Sequence, residues 1–161
     1  MKPVVPTLTI RPAHERDRAA MLSLVPQLAA NGTPALRGRA QVEAADLAAV
    51  EAALLDGSGS SALFVAELES AIVGLLHLRR VRDYYTQSEI THLSDLVVAP
   101  AAQGSGVGRA LMAQAEQWAR EQGHAMLQLY VLPENAPARG LYEASGFTPE
   151  WLKFVKPLDA Q

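Results

Sequence analysis

The sequence predicts a single α+β domain over residues 1–161, and three observations lead to this class. Three consecutive β-rich runs, at residues 62–68, 72–81 and 89–98, are separated by turn-like segments, which is typical of an antiparallel meander. Apolar residues recur at helical spacing before and after this meander. The chain has 161 residues and is 49% apolar, so one domain can bury a substantial core.

Before the meander the sequence predicts one strand and two helices. Residues 8–11 form the strand, and Pro12 suits the first turn of the helix that follows. The stretch 31–39 is polar and interrupted by glycine, which indicates a loop that either covers a substrate site or only connects the helices. The apolar faces of the two helices contain Met21, Leu24, Val25 and Leu28 in the first, and Leu47, Val50 and Leu54 in the second.

After the meander the pattern predicts a helix over 107–122, a buried strand over 126–132 and a short helix that reaches Ser145. Gly123 is placed as a C-cap of the first helix, and Asn135 is placed as the N-cap of the second. Residues 147–155 then supply one or two final strands.

Composition excludes several classes of function. A net charge of -3 and a sequence pI of about 5.8 argue against nucleic acid and anionic membranes as partners. The chain has no cysteine, so disulfides and thiolate nucleophiles are excluded. No apolar run reaches membrane-spanning length, and a cytoplasmic location is expected.

No metal is predicted, because the histidines at 14, 77 and 124 lack partners at metal-ligand spacing. His14, His77 and His124 are interpreted as surface or strand residues.

The stretch 96–111 is a buried strand, a glycine-rich turn and a helix start in direct succession. Glycines at 104, 106 and 108 let successive backbone N–H groups converge on one point, next to the positive end of a helix dipole. A phosphate-bearing ligand is therefore expected there. The alternative is a tight strand-to-helix turn that needs glycine and binds nothing.

The spacing excludes two common phosphate-binding motifs. A dinucleotide fingerprint needs its third glycine at 109, which is Arg109. A Walker loop needs lysine and a hydroxyl residue after its last glycine, and Arg109 and Ala110 stand there instead. The sequence therefore predicts a phosphate held by backbone groups without a metal ion.

Two separated segments resemble the signatures of one known family. The first resembles the acetyl-CoA pyrophosphate loop of the GCN5-related N-acetyltransferase (GNAT) family and reads Val98-x-Pro100-x-x-Gln103-Gly104-x-Gly106-x-Gly108-Arg109-x-Leu111. The second resembles another signature of that family and reads Asn135-x-x-Ala138-x-x-Leu141-Tyr142-x-x-x-Gly146-Phe147. The resemblance implies a three-layer α/β/α domain, with about four helices and a mixed, mostly antiparallel, splayed sheet of about six to seven strands.

The resemblance also implies that acetyl-CoA is the co-substrate. It assigns the pantetheine arm to the backbone of Leu96, Val97 and Val98. It assigns the pyrophosphate to the loop and helix start, at Gln103, Gly104, Ser105, Gly106, Val107, Gly108 and Arg109. By the same resemblance Asn135 contacts the cofactor arm and Tyr142 donates a proton to the departing sulfur. The plainer alternative is that Asn135 is only an N-cap and Tyr142 only a core aromatic residue.

The general base is the less certain part of the site. Glu89, His92 and Asp95 are the ionisable residues on the strand before the loop, and His92 stands where histone-acetylating members have a catalytic glutamate. Strict alternation places His92 and Asp95 on opposite faces, whereas a bulge would reverse the parity. An ordered water is a fourth candidate. Tyr130 stands where protein N-terminal acetylating relatives have glutamate, which argues against that subfamily's mechanism.

The function predicted is acetyl transfer from acetyl-CoA to a primary amine of a small molecule, protein or peptide. Direct attack in a ternary complex is expected, because no cysteine is present to carry the acetyl group. The alternative is a module of the same fold that binds or senses acyl-CoA without catalysis.

A local basic and aromatic patch lies at the end of a predicted hairpin and consists of Arg79, Arg80, Arg82, Tyr84 and Tyr85. This patch either lines the acceptor site or is a solvated hairpin end. Family members are often homodimers.

Overall fold

The computed structural model describes residues 7–158 and contains one five-stranded sheet and four α-helices in that range. The strands are β1 (Leu8–Pro12), β2 (Ser61–Leu68), β3 (Ala71–Arg82), β4 (Glu89–Val98) and β5 (Leu127–Leu129). The helices are α1 (Arg18–Leu24), α2 (Arg39–Leu55), α3 (Val107–Glu121) and α4 (Ala136–Ala144). Among the described residues, no helix is long and apolar enough to cross a membrane.

The strands lie in the order β1-β2-β3-β4-β5, and each of the first three pairings is antiparallel. This confirms the predicted meander. β5 pairs with β4 in parallel and only over residues 91–93 of β4. The rest of the β4 edge, toward Val98, has no neighbouring strand among residues 7–158. The sheet therefore opens beside β4, as the resemblance implied.

Helices cover both faces of the sheet and produce three layers. Against one face pack the apolar residues of α3, including Leu111 and Trp118, together with Tyr142 of α4. Met21 of α1 and Val50 of α2 pack against the other face. The helix predicted over 107–122 is confirmed, and α3 buries one face that contains Val107, Leu111, Ala115, Trp118 and Ala119. Side chains of β4 thus face different helices according to their parity along the strand.

A β-bulge interrupts β4 at Ser94. In its pairing with β3, Leu93 lies opposite Leu78, whereas Asp95 lies opposite His77. One residue of β4 is therefore extra, and it reverses the alternation of side chains along the strand. His92 lies opposite Arg79, so His92 and Asp95 share one face of the sheet.

A partly buried ion pair joins β1 to the start of the first helical region. Both terminal nitrogens of Arg11 donate to the Asp17 carboxylate, at 2.8 and 2.9 Å, and Nε donates to Glu67 at 2.7 Å. Asp17 also accepts from the backbone N–H of His14. These hydrogen bonds hold the pKa of Asp17 at about 2.

Three predictions about elements were wrong. The sheet has five strands rather than six or seven, because residues 148–158 are not paired with any described strand. The predicted strand over 126–132 is limited to β5, and Tyr130 just after it is 82% exposed. Pro12 is the last residue of β1, and α1 begins only at Arg18 after a short 3-10 turn. Proline suits a strand end because it has no N–H to donate to the ladder.

Candidate functional site

The glycine loop leads from β4 into α3 through two left-handed turns. Gly104 has φ of 76° and Gly106 has φ of 89°, a region that L side chains rarely adopt. A Cβ placed on either residue would meet no heavy atom within 4 Å. The loop is therefore shaped by glycine and faces open space, which leaves room for a ligand.

The backbone N–H groups of residues 104–109 are free to bind that ligand. None of the six donates to a backbone or side-chain acceptor within residues 7–158. The hydrogen bonds of α3 begin with Ala110, which donates to the carbonyl of Gly106. Unpaired N–H groups at the N-terminus of a 15-residue helix are suited to a phosphate.

Three residues of the loop have structural contacts of their own. The Gln103 side chain donates to the carbonyl of Val98 at 3.3 Å, and the Ser105 hydroxyl donates to the carbonyl of Ala102. Gly108 lies in α3, where a Cβ would come within 3.2 Å of Leu141 on α4. Gly108 thus lets the two helices approach closely, a reason for glycine that the sequence did not reveal.

Asn135 and Tyr142 are joined by α4. The Asn135 side chain accepts from the N–H of Ala138 at 3.3 Å, which confirms the predicted N-cap. Tyr142 is 8% exposed and packs against Phe147. Its hydroxyl hydrogen-bonds to no described residue. Burial, with a smaller effect from the charge of Asp95, raises the pKa of Tyr142, so the hydroxyl keeps its proton.

The bulge brings His92 and Asp95 to the same face as His77. Nδ1 of His77 lies 2.8 Å from Oδ2 of Asp95, and both side chains are largely buried. His77 is therefore a buried strand residue that contacts Asp95. His124, another of the histidines, lies 2.8 Å from the Thr91 hydroxyl and contacts Trp118. The bulge at Ser94 sets the contact of His77 with Asp95, and the sequence alone did not give the position of this bulge.

His92 is half-buried, and its pKa is lowered by burial first and by the charge of Arg79 second, while Asp95 opposes both. The ring lies beside Tyr130, with 5.1 Å between ring centroids, and 3.4 Å from the amide of Gln128. Its environment therefore favours the neutral imidazole, which can accept a proton. Glu89, in contrast, is exposed at the far end of β4 opposite Arg82.

Sequence reasoning missed Asp46. This residue lies half-buried on α2, and its pKa is raised by burial, by the charge of Asp95 and by Glu43. A signal for it existed, since Asp46 lies one helical turn before the buried Val50 on the inner face of the helix. The charge of Asp95 thus acts on Asp46, His92 and Tyr142, so the three side chains lie near Asp95.

These features fit an acyl-CoA. The free N–H groups of 104–109 match a pyrophosphate, and the unpaired edge of β4 over residues 94–98 matches an amide-bearing arm that adds to a strand. Within the described part of the chain, no three His, Asp or Glu side chains are arranged to hold a metal ion.

Comparison with known proteins gives consistent relatives. An aminoglycoside N(6')-acetyltransferase type 1 from Stenotrophomonas maltophilia is 33% identical over 111 residues, which are 66% of this chain and 72% of that protein. A mycothiol acetyltransferase from Beutenbergia cavernae is 56% identical over 54 residues, or 34% of this chain. The matched segments cover only 18% of that protein and 29% of a streptothricin acetyltransferase from Streptomyces lavendulae.

The fold has the same relatives. The structure of aminoglycoside N-acetyltransferase AAC(6')-Iy in complex with CoA superposes with a TM-score of 0.77, covering 98% of this chain and 99% of that chain at 23% identity. The sequence profile of the Acetyltransferase (GNAT) family matches residues 33–147, well over half of the chain. The chain therefore belongs to the GNAT acetyltransferase family.

Proposed function

We propose that the protein transfers the acetyl group of acetyl-CoA to a primary amine of a small molecule. The observation that carries this proposal is the adjacency of two half-sites on one strand. The open edge of β4 and the free N–H groups of residues 104–109 form a donor site. The side chains of His92 and Asp95 project from the same strand as an acceptor site.

In this proposal the donor is held by backbone groups. The N–H groups of Gly104 through Arg109 bind the pyrophosphate, while Leu96, Val97 and Val98 offer their backbone edge to the pantetheine arm. The carbonyl of Val98 already accepts from Gln103, so Gln103 fixes the loop against the strand end. The Asn135 amide keeps its Nδ2 group for the arm, because its Oδ1 atom caps α4. Acetyl-CoA supplies an activated thioester.

The acceptor half-site prepares the amine. Asp95 and Asp46 provide negative charge for a protonated amine, which is the form that predominates at neutral pH. Deprotonating an amine with a pKa near 10.4 costs about 4 to 5 kcal/mol at pH 7. The neutral His92 imidazole accepts this proton, directly or through a water. The neutral amine then attacks the acetyl carbon in a ternary complex, because no cysteine is present to carry the acetyl group.

Tyr142 provides the acid. Its raised pKa keeps a proton on Oη at neutral pH. The proton at Oη can therefore pass to the departing sulfur. The nearby charge of Asp95 supports this role, because it opposes ionisation of the phenol.

The amine of a small molecule is preferred over that of a protein. The Stenotrophomonas relative is named for aminoglycosides, and the pair Asp95 and Asp46 suits a compact, multiply charged amine. Tyr130 in place of glutamate gives no support to a protein N-terminal acceptor.

A thiol-release assay tests the proposal, with acetyl-CoA and a panel of polyamines, amino sugars, aminoglycosides, amino acids and peptides. We expect turnover with at least one small amine, and formation of the acetylated amine by mass spectrometry. Binding of acetyl-CoA by calorimetry without turnover on any panel member would instead identify a non-catalytic acyl-CoA-binding module. Absence of CoA binding would contradict both the acetyltransferase function and the non-catalytic acyl-CoA-binding function.

A further inference from the structure

A histidine outside the proposed reaction contacts Asp95. His77 lies on β3, with Leu63 of β2 and Asp95 of β4 as its cross-strand neighbours. The residue is 2% exposed, and its Nδ1 atom lies 2.8 Å from Asp95 Oδ2. An ionised carboxylate only accepts hydrogen bonds, so Nδ1 carries the proton in this contact.

The stability of the core does not explain this histidine. Nε2 of His77 is fully buried and has no hydrogen-bond partner among residues 7–158. A buried polar atom without a partner destabilises the fold. His77 shares its face of the sheet with Leu63, Leu75 and Val97, where an apolar side chain would pack without this cost.

Asp95, in contrast, depends on the contact. It follows the bulged Ser94, where the ladder is interrupted, and its own charge acts on Asp46 of α2. Within residues 7–158, His77 is the one group that donates to the Asp95 side chain. This single hydrogen bond engages Oδ2 and leaves Oδ1 for another ligand.

We propose that His77 is a positioning residue, whose Nδ1–H holds the Asp95 carboxylate in place to bind the acceptor amine. The inference rests on the proposed function, because the contact between His77 and Asp95 has this role only if an acceptor amine binds to Asp95. It adds a residue, on a different strand, that touches neither acetyl-CoA nor the amine.

Two substitutions of the full chain test this role in the thiol-release assay. His77→Leu fills the core position without a donor, whereas His77→Asn keeps an N–H near the place of Nδ1. We expect His77→Leu to lower kcat/KM for the best panel amine about tenfold or more, with KM for acetyl-CoA unchanged. His77→Asn should recover most of this loss. The melting temperature of each variant is measured alongside.

The outcome of a purely structural role is different. In that case both variants change the melting temperature, and kcat/KM for the amine stays within about twofold of wild type in the folded protein. Equal loss in His77→Asn and His77→Leu would also overturn the proposal, because the donor would then be irrelevant.

A second readout does not depend on activity. Long-range proton–nitrogen NMR of histidine-labelled protein should show the proton of His77 on Nδ1 in the wild type, and loss of its protection from exchange in Asp95→Ala. A proton on Nε2 alone would overturn the inference. Wild-type protein without turnover on any amine would contradict the proposed function, while the NMR result still decides whether His77 holds Asp95.

Discussion

Burial sets the protonation of His92 in the direction that a general base requires. Its lowered pKa places the change from imidazolium to imidazole below the ordinary value of 6.5. The neutral, proton-accepting form therefore predominates at pH 7 and is lost as pH falls. The neutral ring of His92 and its available lone pair therefore result from its half-buried position and from the charge of Arg79, and not from the residue type alone.

The first prediction concerns the pH dependence of this residue. We expect kcat/KM of the wild type to rise with pH through an acidic limb whose midpoint lies below about 6.5. His92→Ala should lower kcat about a hundredfold and lack this limb. His14→Ala changes an exposed histidine outside the site and serves as the matched control. Full activity of His92→Ala across neutral pH would exclude His92 as the base.

The second prediction concerns the phenol of Tyr142. Tyr142→Phe removes the hydroxyl and preserves the ring that packs on Phe147, so folding and acetyl-CoA affinity should be unchanged. We expect kcat to fall about a hundredfold, because the departing sulfur loses its proton donor. Tyr84→Phe, at an exposed tyrosine on the β3–β4 hairpin, is the control. An unchanged kcat would exclude Tyr142 as the proton donor and leave it only the role of a core aromatic residue.

Between elements, the glycine loop joins β4 to α3 and allows a third prediction. Gly106→Glu should abolish CoA binding in calorimetry, because a side chain and a negative charge would enter the open space over the free N–H groups. Gly59→Glu is a matched control, since Gly59 also has a positive φ and open space but lies between α2 and β2. Both variants experience similar backbone strain of about 1–2 kcal/mol. Retained CoA affinity in Gly106→Glu would contradict the donor site.

The ion pair between β1 and the first helical region gives a fourth prediction. The folded state lowers the pKa of Asp17 from 3.8 to about 2, so the ionised carboxylate stabilises the fold above pH 3.8. This contribution, about 1 to 2 kcal/mol, is lost as pH falls from about 4 to about 2. Urea titration should show Asp17→Ala less stable than wild type at pH 7, with a smaller difference at pH 2. Glu15→Ala, at an exposed carboxylate, should change stability little.

Some individual elements could be predicted from the sequence, and others could not. The β2–β3–β4 meander and the α3 helix were predicted because their apolar spacing is regular over many residues. The bulge at Ser94 was not located, because an extra residue in a strand leaves no mark on local composition. The contact of His77 with Asp95 and the proximity of Asp46 depend on that register, so they required the structure.

At the scale of the whole molecule, the residues from Trp151 to Leu158 expose several large apolar side chains. Large side chains there are highly exposed, at Trp151, Leu152, Phe154 and Leu158. The spacing of such residues predicted strands over 147–155. A segment with this pattern forms a strand only where it pairs with the edge of a neighbouring strand. An apolar surface of this kind is typical of an interface.

The fifth prediction follows from this surface. We expect the protein to form a homodimer in sedimentation equilibrium, and Phe154→Glu to shift it toward the monomer. Lys153→Glu changes charge at the adjacent position without removing an apolar side chain, and it should leave the dimer largely intact. A wild type that remains monomeric at high concentration would contradict this expectation.

The glycine loop was predictable from the sequence, since glycines at 104 and 106 permit the positive φ found there. The three layers were predicted through the family resemblance. The acceptor half of the site was predictable only as a set of candidates. His92 and Asp95 were named from their strand, yet their common face required the register of β3 against β4. Long-range pairing determines such contacts, and a single sequence does not specify it.

The extra residue at Ser94 affects how residue roles pass between relatives. An alignment without a gap to a relative that lacks the bulge would leave the glycine loop matched and most of the strand apparently conserved. Every side chain before position 94 would nevertheless be matched to one that points to the opposite face of the sheet. A histidine in the same column of two such relatives would then be directed toward different helices, so the column alone would assign the wrong base to one of them.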